Sequence, residues 1–240
     1  MENNKTSSLS VAAGWKSLFK LGAIAAIFIV IIIPIQGIVF AVWPPPKTVT
    51  GWFILFQKNK YMGLLDMDLL LIADYMLSLL VYLALSVALW KTNKSSIAIA
   101  LMLQIVSTAT YFASTAAFEM LTLSNKYVVA TTNAERSILL ASGQSILSVW
   151  QGTAFNISYF LGCVATIVIS IVMLRSTIFS KLTAYFGLAA GILMIIPPTA
   201  GMAGITISFI SLLPTIVWLI LISRRFFQLC HDISPSNFVA

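Results

Sequence analysis

Six long apolar stretches decide the solvent in which this chain can fold. They run at about Leu21–Val42, Leu69–Leu89, Ile97–Phe118, Phe155–Leu174, Leu182–Ile196 and Ile205–Ile222. A helix rises about 1.5 Å per residue, so about 20 residues cross a hydrocarbon core roughly 30 Å thick. The expectation is an all-α, polytopic membrane protein with six transmembrane helices. Composition agrees. Charged residues make up 9% of the 240, against about 25% in a soluble domain, too few to cover a water-facing surface.

The net charge of +7 does not point to nucleic acid, because the basic residues are scattered at segment ends instead of gathered on one face. They read as determinants of topology. Lys5, Lys16, Lys20, Lys91, Lys94, Arg175, Lys181, Arg224 and Arg225 fall on one side of an alternating arrangement. Lys47, Lys58, Lys60, Lys126 and Arg136 fall on the other, although those connections are longer. The positive-inside rule then places both termini in the cytoplasm. The first apolar run continues to Trp43, beyond the roughly 7–15 residues of a signal-peptide core, so it reads as a retained helix. The expected organisation is a cytoplasmic segment 1–20, one six-helix domain 21–223 and a cytoplasmic tail 224–240.

The connections carry local signals. Pro44–Pro46 ends the first span, and Gly51–Gln57 is apolar but too short to cross. It fits a short element on the outer membrane face; a cap over a cavity is the rival reading. In the third connection, Thr132 or Asn133 caps a helix over Ala134–Trp150, with Glu135 early in it. Its broad apolar arc predicts a half-buried interfacial helix, with a lid as the alternative. The fifth span contains Gly187-x-x-x-Gly191, a spacing for close helix contact, and runs into Pro197-Pro198. A tight apolar hairpin is the plain reading there, and a broken-helix transport site the functional one.

Polar residues inside apolar helices need a reason, since an ionisable group at depth costs about 2.5–3.5 kcal/mol on insertion scales. Asp66 and Asp68 sit at the outer start of the second span. Asp74 lies roughly 8 Å deeper and should face the bundle interior. Ser78 and Tyr82 follow it at four-residue steps. In the third span Gln104, Thr108, Tyr111 and Thr115 fall within about 60° of one another, with Glu119 slightly off that face. The fourth shows Asn156, Tyr159, Cys163, Thr166 and Ser170 along one side. Two readings stand. The stripes are interhelical glue, each bond worth about 0.6 kcal/mol. Or Asp74, Tyr82, Gln104, Tyr111, Glu119, Asn156 and Tyr159 line an outward-opening pocket for a small or amphipathic ligand, anchored by Asp74 or Glu119.

Chemistry beyond binding has little support. There is no H-E-x-x-H and no Gly-x-Ser-x-Gly elbow, and the lone His231 lies in the tail. Cys163 and Cys230 are far apart and show no metal spacing. No metal and no cofactor is expected. The expected partners are membrane lipids and that ligand; a homo-oligomer through small-residue faces is compatible with the sequence.

With these residues in hand, the chain resembles the bacterial six-helix membrane proteins grouped as domain of unknown function 4386. The resemblance rests on Asp66-Met67-Asp68 through Asp74 opening the second span, and on Asn133-Ala134-Glu135-Arg136 with the Gly152-Thr153 junction. Leu174-Arg175-Ser176 and the Gly-rich fifth span add to it. It implies a bacterial cytoplasmic membrane and carries no activity onto any residue. The functional expectations are a ligand-binding or structural membrane protein, then a small transporter or transport accessory, then an intramembrane enzyme.

Overall fold

Helices account for every regular element in the computed structural model, which describes the backbone of residues 2–67 and 69–232, and side chains from 14 onward except those of 68 and 232. Asp68 and the tail beyond residue 232 lie outside the described residues. In chain order the helices are α1 (Glu2–Val42), α2 (Val49–Lys58), α3 (Lys60–Asp66), α4 (Leu69–Leu89), α5 (Lys94–Ser114), α6 (Ala117–Val129), α7 (Asn133–Trp150), α8 (Thr153–Arg175), α9 (Lys181–Leu193) and α10 (Gly201–Asp232). Their starts follow the polar residues between apolar runs. The side chains of Thr48, Asn59, Asn93, Thr132 and Ser180 each accept a backbone N–H from the first turn they precede. Thr132, not Asn133, caps α7, and Glu135 reaches back to complete a capping box.

Five stretches are long and apolar enough to cross a membrane: Gly14–Val42, Leu69–Leu89, Lys94–Val129, Asn133–Arg175 and Gly201–His231. The expected fifth span is α9, an apolar helix of 13 residues, only about 20 Å long. It stops at Leu193 instead of Ile196. The seven residues to Ala200 are turns around Pro197-Pro198, and Gly201, at φ 76°, opens α10. The expected third span also ends early. Ser114 and Thr115 turn their hydroxyls back onto the carbonyls of Tyr111 and Phe112, an alternative that competes with helix continuation. Thr115 is extended, and α6 starts anew at Ala117.

The long helices close into a ring: α1 packs on α4, α4 on α5, α5 on α8, α8 on α9, α9 on α10, and α10 returns to α1. The last contact is antiparallel. Ser223 donates to the Ala23 carbonyl at 3.0 Å, and the Cys230 thiol approaches that of Lys16 at 3.5 Å. One apolar core fills the half of the ring that contains Phe19, Ala23, Ala26, Leu85, Ile169, Ile222 and Phe226. Glycines set its closest approaches. A Cβ on Gly22 would lie 2.7 Å from that of Ala84, and one on Gly187 would collide with Ser170 and with the Trp218 indole. The Gly187-x-x-x-Gly191 spacing is therefore a packing device between α9 and its neighbours.

A second apolar core joins α2, α3, α6 and α7 at the opposite end. Trp52 is fully buried and meets Trp150 edge-on at 5.5 Å. Gln57 donates to Ser124 and Asn125, and Ser124 donates to the Phe53 carbonyl. The short apolar element of the first connection is thus held in a helical cap, with Val49, Trp52, Phe53 and Phe56 buried against α6 and α7.

Candidate functional site

Between the two apolar cores lies a belt of polar side chains contributed mainly by α4, α5 and α8. Its centre is a pair of tyrosines. Tyr75 of α4 and Tyr111 of α5 stack with ring centroids 3.9 Å apart and planes within 2°. Phe155 lies 6.4 Å from Tyr111, and Tyr159 6.2 Å from Phe155. Ser158 donates to the Tyr75 hydroxyl at 3.2 Å, and Ser107 donates to the Ser158 carbonyl at 2.7 Å. Gly162 admits that approach, because a Cβ there would sit 3.2 Å from the Ser107 hydroxyl. Asp74, Tyr159 and Cys163 are all within electrostatic reach of the Tyr75 hydroxyl.

The expected site residues fall into four sets, with Tyr159 shared by two. Asp74, Tyr111 and Tyr159 surround Tyr75. Gln104 is buried on α5, together with Ser107 and Thr108. Tyr82, Asn156 and Tyr159 are held in bonds between elements. The Tyr82 hydroxyl pairs with Thr166 at 2.7 Å, Tyr159 with Ser208 at 3.0 Å, and Asn156 accepts from Thr199 in the irregular stretch after α9. Cys163 likewise donates to the Met194 carbonyl at 2.8 Å. Glu119 is not brought to this group. It lies exposed on α6 beyond the break at Thr115 and lines a shallow cleft of about 350 Å³ with Phe118, Thr122 and Ile146. A second cleft, of about 630 Å³, lies between α1 and α10. Neither is lined by Asp74, Tyr111 or Asn156; Tyr111 is buried, whereas Asp74, Tyr75, Asn156 and Tyr159 are half-buried.

Hydrogen-bond accounting separates the belt into satisfied and unsatisfied parts. The hydroxyls of Tyr75, Tyr82, Ser107, Ser158 and Tyr159 all have partners. Thr108 Oγ1 on α5 has none, and neither have four buried oxygens at the outer end: Oδ1 of Asp74, both carboxylate oxygens of Asp66, and Oε1 of Gln36. All four at the outer end are acceptors. Gln36 spends its amide N–H on the Leu65 carbonyl, 3.4 Å away, which puts it beside the turn that carries Asp66. Asp66 is completely buried at the end of α3, and this burial pushes its carboxyl up to about 6. Carboxylates without donors in a low-dielectric setting call for a proton or a cation.

Tyr75, Ser107 and Ser158 are central here and absent from the expected stripes. The sequence carried a signal for Tyr75. Residues seven apart on a helix differ by only about 20° in direction, and residues eight apart by about 80°. Tyr82 therefore shares a face more closely with Tyr75 than with Asp74. No family model, curated protein or solved structure matches this chain.

Proposed function

We propose that this chain binds a small cation, or the cationic group of an amphipathic molecule, at Asp74 beneath the outer cap. The carrying observation is a buried carboxylate oxygen with no donor, in a belt where the hydroxyls of Tyr75, Tyr82, Ser107, Ser158 and Tyr159 are bonded. Tyr75 and Tyr111 cover one face of each other, and the outer face of Tyr75, the half-buried ring of the pair, is the aromatic surface left for a weakly hydrated cation. The same reading takes the ring as six spans in a bacterial cytoplasmic membrane, both termini inside, with α7 at the outer interface. The alternating basic residues and the antiparallel closure of α1 on α10 support that orientation. Membership of the domain of unknown function 4386 group belongs to this proposal and adds no activity to it.

Asp74 is half-buried beneath the cap. The test is thermal unfolding of the full-length protein in neutral detergent with dodecyltrimethylammonium as probe. The midpoint should rise with this cation and stay unchanged with a zwitterionic surfactant of equal chain length. Asp74→Asn should abolish the rise while folding normally. A rise that survives Asp74→Asn, or no response from pH 5 to 8, would overturn the reading.

A transport role is the second reading, favoured by the irregular backbone between α9 and α10. Cys163, bonded to the Met194 carbonyl, lies 12 residues from Arg175, which places the interruption roughly 18 Å above the inner end of α8. Unwound backbone at such depth is tolerated where it lines a cavity or is buried in protein. Cation flux into proteoliposomes, lost in Asp74→Asn, would favour transport over binding alone.

A further inference from the structure

The cleft between α1 and α10 combines an apolar trough with a basic rim. Ile27 and Ile31 of α1 face Ile220 and Phe227 of α10 across it, and Arg224 and Gln228 stand at its end. On α1, Lys16 and Lys20 continue the line of Ile27 and Ile31. At about 100° per residue these four fall within some 60° of one another. Lys16 and Lys20 are also within electrostatic reach of Cys230, two residues beyond Gln228. The antiparallel register, Ala23 against Ser223 and Lys16 against Cys230, brings both sets of basic residues to the same end.

The two arginines of α10 are used differently. Arg225 is committed to the fold: its Nε donates to the Ile178 carbonyl at 2.6 Å and one Nη to Gln228 Oε1 at 3.1 Å. That second bond leaves the Gln228 amide N–H groups to donate elsewhere. Arg224 is exposed in the cleft and bonds no described residue. The acidic side chains described, Asp66, Asp74, Glu119 and Glu135, belong to the other half of the molecule. On α1 the cleft is lined by Ile27, Val30 and Ile31, and from Lys20 to Ile31 the helix rises about 17 Å, close to half of a hydrocarbon core roughly 30 Å thick.

We infer that this cleft is a binding site for an anionic phospholipid of the leaflet facing Lys16 and Lys20. One acyl chain lies along Ile27, Ile31, Ile220 and Phe227. The headgroup phosphate is held by Arg224, Lys20 and the Gln228 amide. An apolar trough alone would accept any lipid chain. Charge selects the headgroup, as in basic pockets between helices at a membrane surface.

The test uses the full-length protein, delipidated in neutral detergent and titrated with phosphatidylglycerol or phosphatidylcholine, with bound lipid counted by native mass spectrometry. Wild type should retain phosphatidylglycerol in preference to phosphatidylcholine. Arg224→Gln and Lys20→Gln should each weaken phosphatidylglycerol about fivefold and leave phosphatidylcholine unchanged. Ile27→Trp should fill the trough and weaken both. Because Arg224 and Lys20 are exposed, their variants test the site even where Ile27→Trp fails to fold. Equal retention of the two lipids, a preference that survives both charge removals, or equal competition by inorganic phosphate would overturn the inference. The cation site at Asp74 is at the other end of the bundle, and failure of either proposal leaves the other standing.

Discussion

Around Ala23, Ile169 and Ile222, small residues draw the helices together, and hydroxyls such as those of Ser86, Thr166 and Ser223 donate to carbonyls. Beneath the cap, rings fill the space between helices, and carboxylates are left without donors. The belt draws mainly on α4, α5 and α8, which also run through the inner core, so part of the difference lies in what each position along them was given to bury. The first arrangement maximises contact, as lipid-embedded helices need where no hydrophobic force drives them together. The first leaves only neutral groups unpaired, the Ser170 hydroxyl and the Trp218 indole N–H among them, whereas the second leaves carboxylates unpaired, and an unpaired carboxylate in a dry setting is where a ligand or proton gains most.

Four substitutions would break or sharpen that contrast. The largest effect is expected from Trp52→Ala, since emptying a fully buried tryptophan site costs about 3–5 kcal/mol. If the cap is a separate unit, hydrogen exchange should speed up in α2, α6 and α7 and stay slow in α1 and α10. Equal loss of protection in both halves would mean that the two cores unfold together. Next comes Gly187→Ala, expected to cost about 1–3 kcal/mol by overpacking against Ser170 and Trp218. Its signature is a lowered unfolding midpoint with the cap's exchange pattern unchanged.

Asp66→Asn should act in the opposite direction. The Asp66 carboxyl is raised to about 6 from an ordinary 3.8, so the fold favours its protonated form. Its stability contribution is full below about 3.8 and is lost as pH rises through about 6. The wild-type midpoint should therefore fall between pH 4 and 7, and the variant should show a flatter profile and a higher midpoint at pH 7. An unchanged profile would mean that the carboxylate already has a partner in the membrane. The smallest effect is expected from Tyr82→Phe, which removes one bond to Thr166 worth about 0.6 kcal/mol. A loss of several kcal/mol there would show that the inner half depends on polar bonds more than on close packing.

The fold was legible in the sequence where it depended on long apolar runs and end signals. α4 begins and ends at the expected Leu69 and Leu89, and α8 extends the expected fourth span by two residues at its start and one at its end. The expected third and fifth spans lost their ends to local competition, hydroxyls of Ser114 and Thr115 in one and Pro197-Pro198 in the other. Neither shows in hydrophobicity. The belt was half legible. The faces carrying Tyr111 and Tyr159 could be read from helical spacing. The Tyr75–Tyr111 stack could not, because it depends on how α4 and α5 are rotated against each other. Gln36 was outside every expectation, since a lone amide in an apolar run gains meaning only from the α3 turn beside it.

The ring closes through its first and last members. Ser223 reaches back to Ala23 across 200 residues of chain. At synthesis rates of about 5–20 residues per second, α1 waits roughly 10–40 s in the bilayer before α10 arrives. During that interval the face carrying Gly22, Ala23 and Ala26 is open on the side that Phe226 will cover. Assembly is therefore gated by the arrival of the C-terminal helix, and a chain interrupted before Gly201 presents an unclosed seam to whatever recognises orphaned helices in the membrane.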